Sequence, residues 1–318
     1  MRGRARAACA LALAPVASPA VAHVAGAVDD PFAWTLDAWI VAPLLLAAIL
    51  YAIGYARWRR RARRGRGRAW LFASGLGILA LALLSPLHAL GARSFAAHMA
   101  EHELMMLVAA PLLVLARPLR TWLWAWPRRW RRALGGLGRQ RQVAGAWGFL
   151  TAPLPATVLQ AAALWIWHAP GPFQLALSGE GWHALQHACF LATALLFWTA
   201  VLDERILRHR PVLAVGCLFT TSLVSGALGA LMALSRSPWY AAYAALGLTP
   251  FGLTPAEDQQ LAGLLMWIPG GLVHAAAALV LVVQLVRDSP PTVQVTEKGK
   301  ARQPIESGED APPHGIGL

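Results

Sequence analysis

The chain has 318 residues, 57% of them hydrophobic and only 14% charged, with a formal net charge of +13, whereas a soluble domain of this size carries about 25% charged residues. A mean hydropathy of +0.49 and long apolar runs exclude an ordinary soluble domain and indicate a polytopic helical membrane protein. The excess positive charge is mostly arginine, clustered between apolar runs rather than along one stripe, so it points to membrane topology and not to nucleic acid. The three cysteines, Cys9, Cys189 and Cys217, have neither CxxC spacing nor the pattern of a disulfide framework. Cys189 and Cys217 read as small core residues of membrane helices.

The first 22 residues read as a secretory signal. Arg2, Arg4 and Arg6 form a basic n-region, a short apolar stretch broken by Pro15 and Pro19 follows, and Ala20 and Ala22 make an A-x-A arrangement. Cleavage after Ala22 is expected; the alternative is an uncleaved anchor. Cleavage would leave His23 as the new N-terminus, where a free amine beside an imidazole can bind Cu(II), and residues 23–36 as a periplasmic segment. Seven apolar stretches follow at about 37–56, 70–90, 95–116, 153–168, 182–202, 211–234 and 261–286, each near the ~20 residues that a crossing needs. The fourth is short, with an earlier start near Trp147 and kinks at Pro153 and Pro155 as the way to lengthen it. The sixth presents Ser222, Gly226 and Gly229, small residues that allow close helix approach. The seventh carries Pro269, Gly270 and Gly271, which predict a mid-membrane break. The seven-helix domain thus covers 37–287. Residues 288–318, rich in Pro, Gly and charge, are expected to be a disordered cytoplasmic tail.

Arginine placement orients the bundle. Arg57 to Arg68, Arg117 to Arg141, and Arg205, Arg208 and Arg210 fill alternate loops, and Arg287 follows the last span. The opposite loops carry only Arg93 and Arg236. Basic residues stay on the cytoplasmic side, so the expected topology is N-out and C-in, with tryptophans such as Trp39, Trp126, Trp182 and Trp239 at span ends.

On this orientation the candidate site residues gather in the outer leaflet. His98 and His102 open the third span, His168 ends the fourth, His183 and His187 open the fifth, and Asp258 precedes the seventh. Both i, i+4 histidine pairs put two imidazoles on one helical face, a metal-chelating geometry. Ionisable residues within a bilayer are costly and read as functional by default. Imidazole suits copper, zinc and iron, and thioether selects Cu(I), so Met105 and Met106, continuing the first stripe, are core residues or further ligands. Glu101 and Glu103 flank the stripe and either orient an imidazole or face water. Asp258 reads as a ligand or as the N-cap of the seventh span. His274 reads as a deeper ligand or as a histidine bonded to the broken backbone. His88 and His209 are loop residues without an evident partner.

The stretches HMAEHELMMLVAAPLLVLARP (98–118), WIWHAPGPFQLAL (165–177), WHALQHACFLATALLFW (182–198) and DQQLAGLLMWIPGG (258–271) resemble, in that order, the CtaG-like, caa3-type cytochrome c oxidase assembly factors. The resemblance spans roughly residues 35 to 287. It implies a bacterial plasma-membrane protein of about seven spans that is required to make active haem–copper oxidase, with a suspected role in copper supply. Glu103 departs from the pattern, standing where a hydrophobic residue or Met is expected. On this reading His98, His102, His183 and His187 hold Cu(I), with His168 and Asp258 as an outer gate. The ion passes from a periplasmic copper donor to an oxidase subunit within the lipid bilayer, without enzymatic turnover. Two other functions are compatible with the residues. A haem b-binding oxidoreductase would use histidines from two helices, although the cytoplasmic half lacks the histidines for a second haem. A metal-ion transporter would need a polar inner route, for which only His274 and the glycines speak.

Overall fold

The computed structural model describes residues 33–59 and 66–288. The expected signal peptide and its cleavage site, His23 and most of the 23–36 segment, part of the first arginine loop, and residues 289–318 lie outside the described residues. Within them every regular element is helical. In chain order these are α1 (Ala38–Arg59), α2 (Arg66–Leu84), α3 (Pro86–Gly91), α4 (Phe95–Glu103), a π-helical turn (Leu104–Ala109), α5 (Ala110–Ala116), α6 (Pro118–Ala125), α7 (Arg128–Leu137), α8 (Arg141–Leu150), α9 (Pro153–His168), α10 (Pro170–Ser178), α11 (Glu180–Val201), α12 (Glu204–His209), α13 (Pro211–Leu234), α14 (Ala241–Ala245) and α15 (Pro255–Asp288).

Six helical stretches among the described residues are long and apolar enough to cross a membrane. A seventh crossing exists if α8 and α9, bent by 63° at their junction, count as one. The all-α polytopic bundle is therefore as expected. The third, fourth and sixth stretches coincide with Phe95–Ala116, Pro153–His168 and Pro211–Leu234. The second differs. It ends at Leu84, because Ser85 caps a new helix, accepting from the Leu87 amide at 3.3 Å with Pro86 at its first position. Large apolar side chains such as Leu45, Leu46, Leu81, Val158, Phe219 and Leu272 remain outward. That is the pattern of helices solvated by lipid rather than water.

The predicted break in the last helix is absent. Residues 269–271 are helical, and α15 runs through Pro269 from Pro255 to Asp288. His274 donates from Nδ1 to the Gly270 carbonyl at 2.7 Å, and its ring stacks on Trp198 with centroids 5.8 Å apart. It is thus bonded to backbone near the glycines, one of the two roles expected for it. Helices α13 and α15 form the most extensive pair. Their backbones touch at Gly229 and Gly263: a Cβ on Gly263 would run into the Gly229 carbonyl and the Ala233 backbone. Small residues at the crossing replace the hydrophobic effect, which gives no drive between helices in lipid.

The π-turn coincides with Pro111 and is completed by Trp198. The Ala110 amide bonds to the Met105 carbonyl, five residues back. The next amide in that register would belong to Pro111, which has none. The Met106 carbonyl is left over, and it accepts from the Trp198 indole at 2.9 Å. The wide turn also rotates everything after Leu104 away from the phase of His98 and His102. Met105 is fully buried in the apolar core, and the Met106 thioether accepts from Gln160 Nε2 at 3.5 Å. The uniform stripe from the histidines through Met105 and Met106 is corrected accordingly.

Candidate metal centre

His88, His98, His102, His168, His183 and His187 collect at one end of the bundle, opposite the arginine-bearing ends of the long helices, whereas His209 lies among those arginines and His274 lies within α15. Their placement begins with the start of α4. Ser94 caps that helix, accepting from the Ala97 amide, and donates its hydroxyl to Asp258 Oδ1 at 2.7 Å. The Asp258 carboxylate also accepts from the amides of Phe95 and Ala96. Two orphan amides at the positive end of α4 are thereby met by an acid from α15. Asp258 thus caps a neighbouring helix rather than its own, and its carboxylate is engaged by Ser94 and two amides. Tyr243 donates to the Gly91 carbonyl at 2.6 Å and Tyr240 to the His168 carbonyl at 2.8 Å. Burial raises both phenol pKa values, so both tyrosines keep the protons that these bonds require.

With α4 held at that height, His98 and His102 meet His183 and His187 on α11. The ring centroids lie 4.4 Å apart within the first pair and 4.3 Å within the second. Between pairs they are 5.2 Å for His98–His183 and 4.9 Å for His102–His187. Nitrogens of His98, His183 and His187 all lie within 4.8 Å of one another. His98 Nε2, His183 Nε2 and both nitrogens of His102 and of His187 are buried without a hydrogen-bond partner. Buried polar groups are ordinarily bonded, because an unpartnered one costs about 1–3 kcal/mol. A converging set of such nitrogens is a donor set suited to an ion.

Glu101 orients the cluster. It is completely buried; its Oε1 accepts from His88 Nδ1 at 2.8 Å and lies 3.7 Å from His187 Nδ1. Sequence alone left His88 without a partner. It lies in α3, its ring stacked 5.4 Å from that of His183. Burial lowers the His88 pKa, but the hydrogen bond and charge of Glu101, with Asp37 adding, outweigh it and the net shift is upward. A carboxylate–imidazole pair of this kind fixes tautomer and ring direction beside a metal site.

The outer gate is corrected as well. His168 is 2% exposed and Asp258 is buried, whereas His183 and His88 are the partly exposed members of the cluster. His168 donates from Nδ1 to the Leu164 carbonyl at 2.7 Å and presents Nε2 to Met99 Sδ at 3.4 Å. Met99 was not among the sequence candidates; the only trace in the sequence is its position beside His98. Glu103 points its unpartnered Oε2 to within 3.5 Å of where a Cβ of Gly270 would sit.

Comparison with known proteins agrees with this arrangement of blocks. An uncharacterized protein of Mycobacterium bovis and another of Mycobacterium tuberculosis are each 29% identical over 270 residues. The match takes in 80% of this chain and 39% of either relative, so the chain spans about two-fifths of their length. No solved structure matches. The profile of the family described as cytochrome c oxidase caa3 assembly factor matches residues 49–288, a stretch that contains every helix of the histidine cluster. The chain belongs to that family.

Proposed function

We propose that the protein is a multi-pass factor of a bacterial plasma membrane that holds Cu(I) at His98, His183 and His187, with His102 alongside, and delivers it to a haem–copper oxidase subunit during assembly. The observation that carries this reading is the set of buried imidazole nitrogens without partners. Neutral imidazoles at this spacing suit a d10 ion. They need no counter-charge beyond Glu101, whose Oε1 is within reach of His187. The partly exposed His88 and His183 edge faces the compartment outside the membrane on the arginine-derived topology. A periplasmic donor would load the site there. An open, three-nitrogen site exchanges ligands more readily than a closed tetrahedron.

The same geometry favours an ion over haem. Neighbouring rings in this set of four have centroids 4.3–5.2 Å apart and leave no flat slot for a macrocycle between them.

The test is the copper content and visible spectrum of purified protein loaded with Cu(I) under reducing conditions, wild type beside His102→Ala/His187→Ala. Copper retained by the wild type and lost in the double variant, with no Soret band, is the expected result. A Soret band that disappears in the variant would replace copper by haem. Equal copper in both proteins, or none in either, would remove the histidines from metal handling, and uptake of copper into proteoliposomes would move the protein to the transporters.

A further inference from the structure

His168 closes α9 with its ring buried and Nδ1 against a backbone carbonyl. A carbonyl only accepts, so Nδ1 carries the proton and the neutral ring has its lone pair on Nε2. That lone pair faces the Met99 thioether at 3.4 Å, and a thioether sulfur is likewise an acceptor only. Two buried acceptors thus confront each other with no hydrogen between them. Protonating Nε2 would resolve the conflict only by placing an imidazolium among Phe173 and Phe190, whose rings lie 6.0 and 5.6 Å from that of His168, an apolar setting hostile to charge. A soft cation shared by both lone pairs resolves it directly. With bonds of about 2.0 Å to nitrogen and about 2.3 Å to sulfur, a 3.4 Å separation corresponds to an angle near the tetrahedral value.

His102 stands between this pair and the cluster already described. Both of its nitrogens are buried and unpartnered. Its ring is 4.4 Å from that of His98, 4.9 Å from that of His187 and 6.4 Å from that of His168. We propose that Met99 Sδ and His168 Nε2, with His102 as the third ligand, form a second, thioether-containing Cu(I) subsite, and that His102 is the ligand over which the ion passes from the His98–His183–His187 set. The inference rests on the copper reading of that set. The step is a ligand exchange: a bond from copper to His102 forms first, and the bonds to His98, His183 and His187 break as bonds to Met99 Sδ and His168 Nε2 form, with His102 kept as the third ligand. Copper stays in the +1 state throughout, and the coordinating nitrogens are already unprotonated, so neither an electron nor a proton is transferred. The thioether gives the second subsite a selectivity that imidazoles alone lack, for Cu(I) over zinc.

X-ray absorption at the copper edge of the full chain in detergent, loaded with excess Cu(I) and washed, tests this. Wild type is expected to hold two equivalents with a sulfur neighbour in the averaged shell. Met99→Leu, which conserves volume and whose folding is checked by its melting curve, is expected to keep one equivalent with a nitrogen-only shell. His168→Gln should likewise lose one equivalent. A nitrogen-only shell in the wild type would overturn the second subsite and leave the first standing. A sulfur shell that persists in Met99→Leu would also overturn it, assigning the sulfur to another residue such as Cys189. A wild type that binds no copper would remove both sites together.

Discussion

The α13–α15 crossing and the meeting of α4 with α11 are built on opposite principles. At the first, Gly229 and Gly263 let two backbones touch, and stability comes from close contact between groups that need no partner. At the second, four imidazoles crowd together with most of their nitrogens unpartnered, held in position by bonds made elsewhere. Asp258 links the two regions, since it lies in the first turn of α15 and caps α4. The helix that packs on α13 thus also fixes where α4 begins. Polar sites of this kind are destabilised relative to an apolar equivalent, and the surrounding fold compensates.

Substitutions can break or sharpen this contrast. The largest effect is expected at the packed crossing. In Gly263→Val the new side chain meets the backbone of Gly229 and Ala233, neither of which can swing aside, so the bundle should lose about 3 kcal/mol or fail to assemble. Thermal unfolding in detergent measures this, and a wild-type midpoint would mean that the crossing is looser than described.

The link between the regions comes next. Asp258→Ala leaves two amides and the Ser94 hydroxyl buried without their acceptor, a loss of about 2 kcal/mol. Copper retention should fall with it, because α4 no longer starts at a fixed height. Full copper binding at an unchanged midpoint would dismiss the clamp.

The smallest effect has the opposite sign. His102 has no hydrogen bond to lose, and exchanging an unpartnered buried polar group for an apolar one is neutral or stabilising. Metal-free His102→Leu should therefore match the wild type or exceed it by about 1 kcal/mol, and the proposed copper site predicts that Cu(I) raises the wild-type midpoint but not that of the variant. A metal-free variant markedly less stable than wild type would make His102 a structural histidine and undo the contrast.

Much of the fold was legible in the sequence because it depends on local composition. Apolar length marked the crossings, and two of them, Phe95–Ala116 and Pro211–Leu234, have the expected bounds, as does the helix Pro153–His168, which reaches crossing length only together with α8. The i, i+4 spacing on α4 and on α11 sufficed to nominate the two histidine pairs, since residues at that spacing share a face of any helix. Other features resisted the same reasoning. Met105 and Met106 were misphased because a π-turn inserts part of a turn after His102; Pro111 frees the Met106 carbonyl locally, but the group that satisfies it is a tryptophan 92 residues away. His88 lacked an evident partner because Glu101 reaches it across the boundary between α3 and α4.

The sequence by itself determined that this chain is a helical membrane bundle, which loops carry its arginines, and which end the two i, i+4 histidine pairs share. These follow from hydropathy, charge and helical period, all of which act within one segment. Only the tertiary structure decided what each polar group faces. Asp258 meets the start of α4, Met99 meets His168, and Glu101 meets His88 and His187. Each of these contacts joins different helices. Its geometry depends on helix height and rotation, which packing sets and which no single segment encodes.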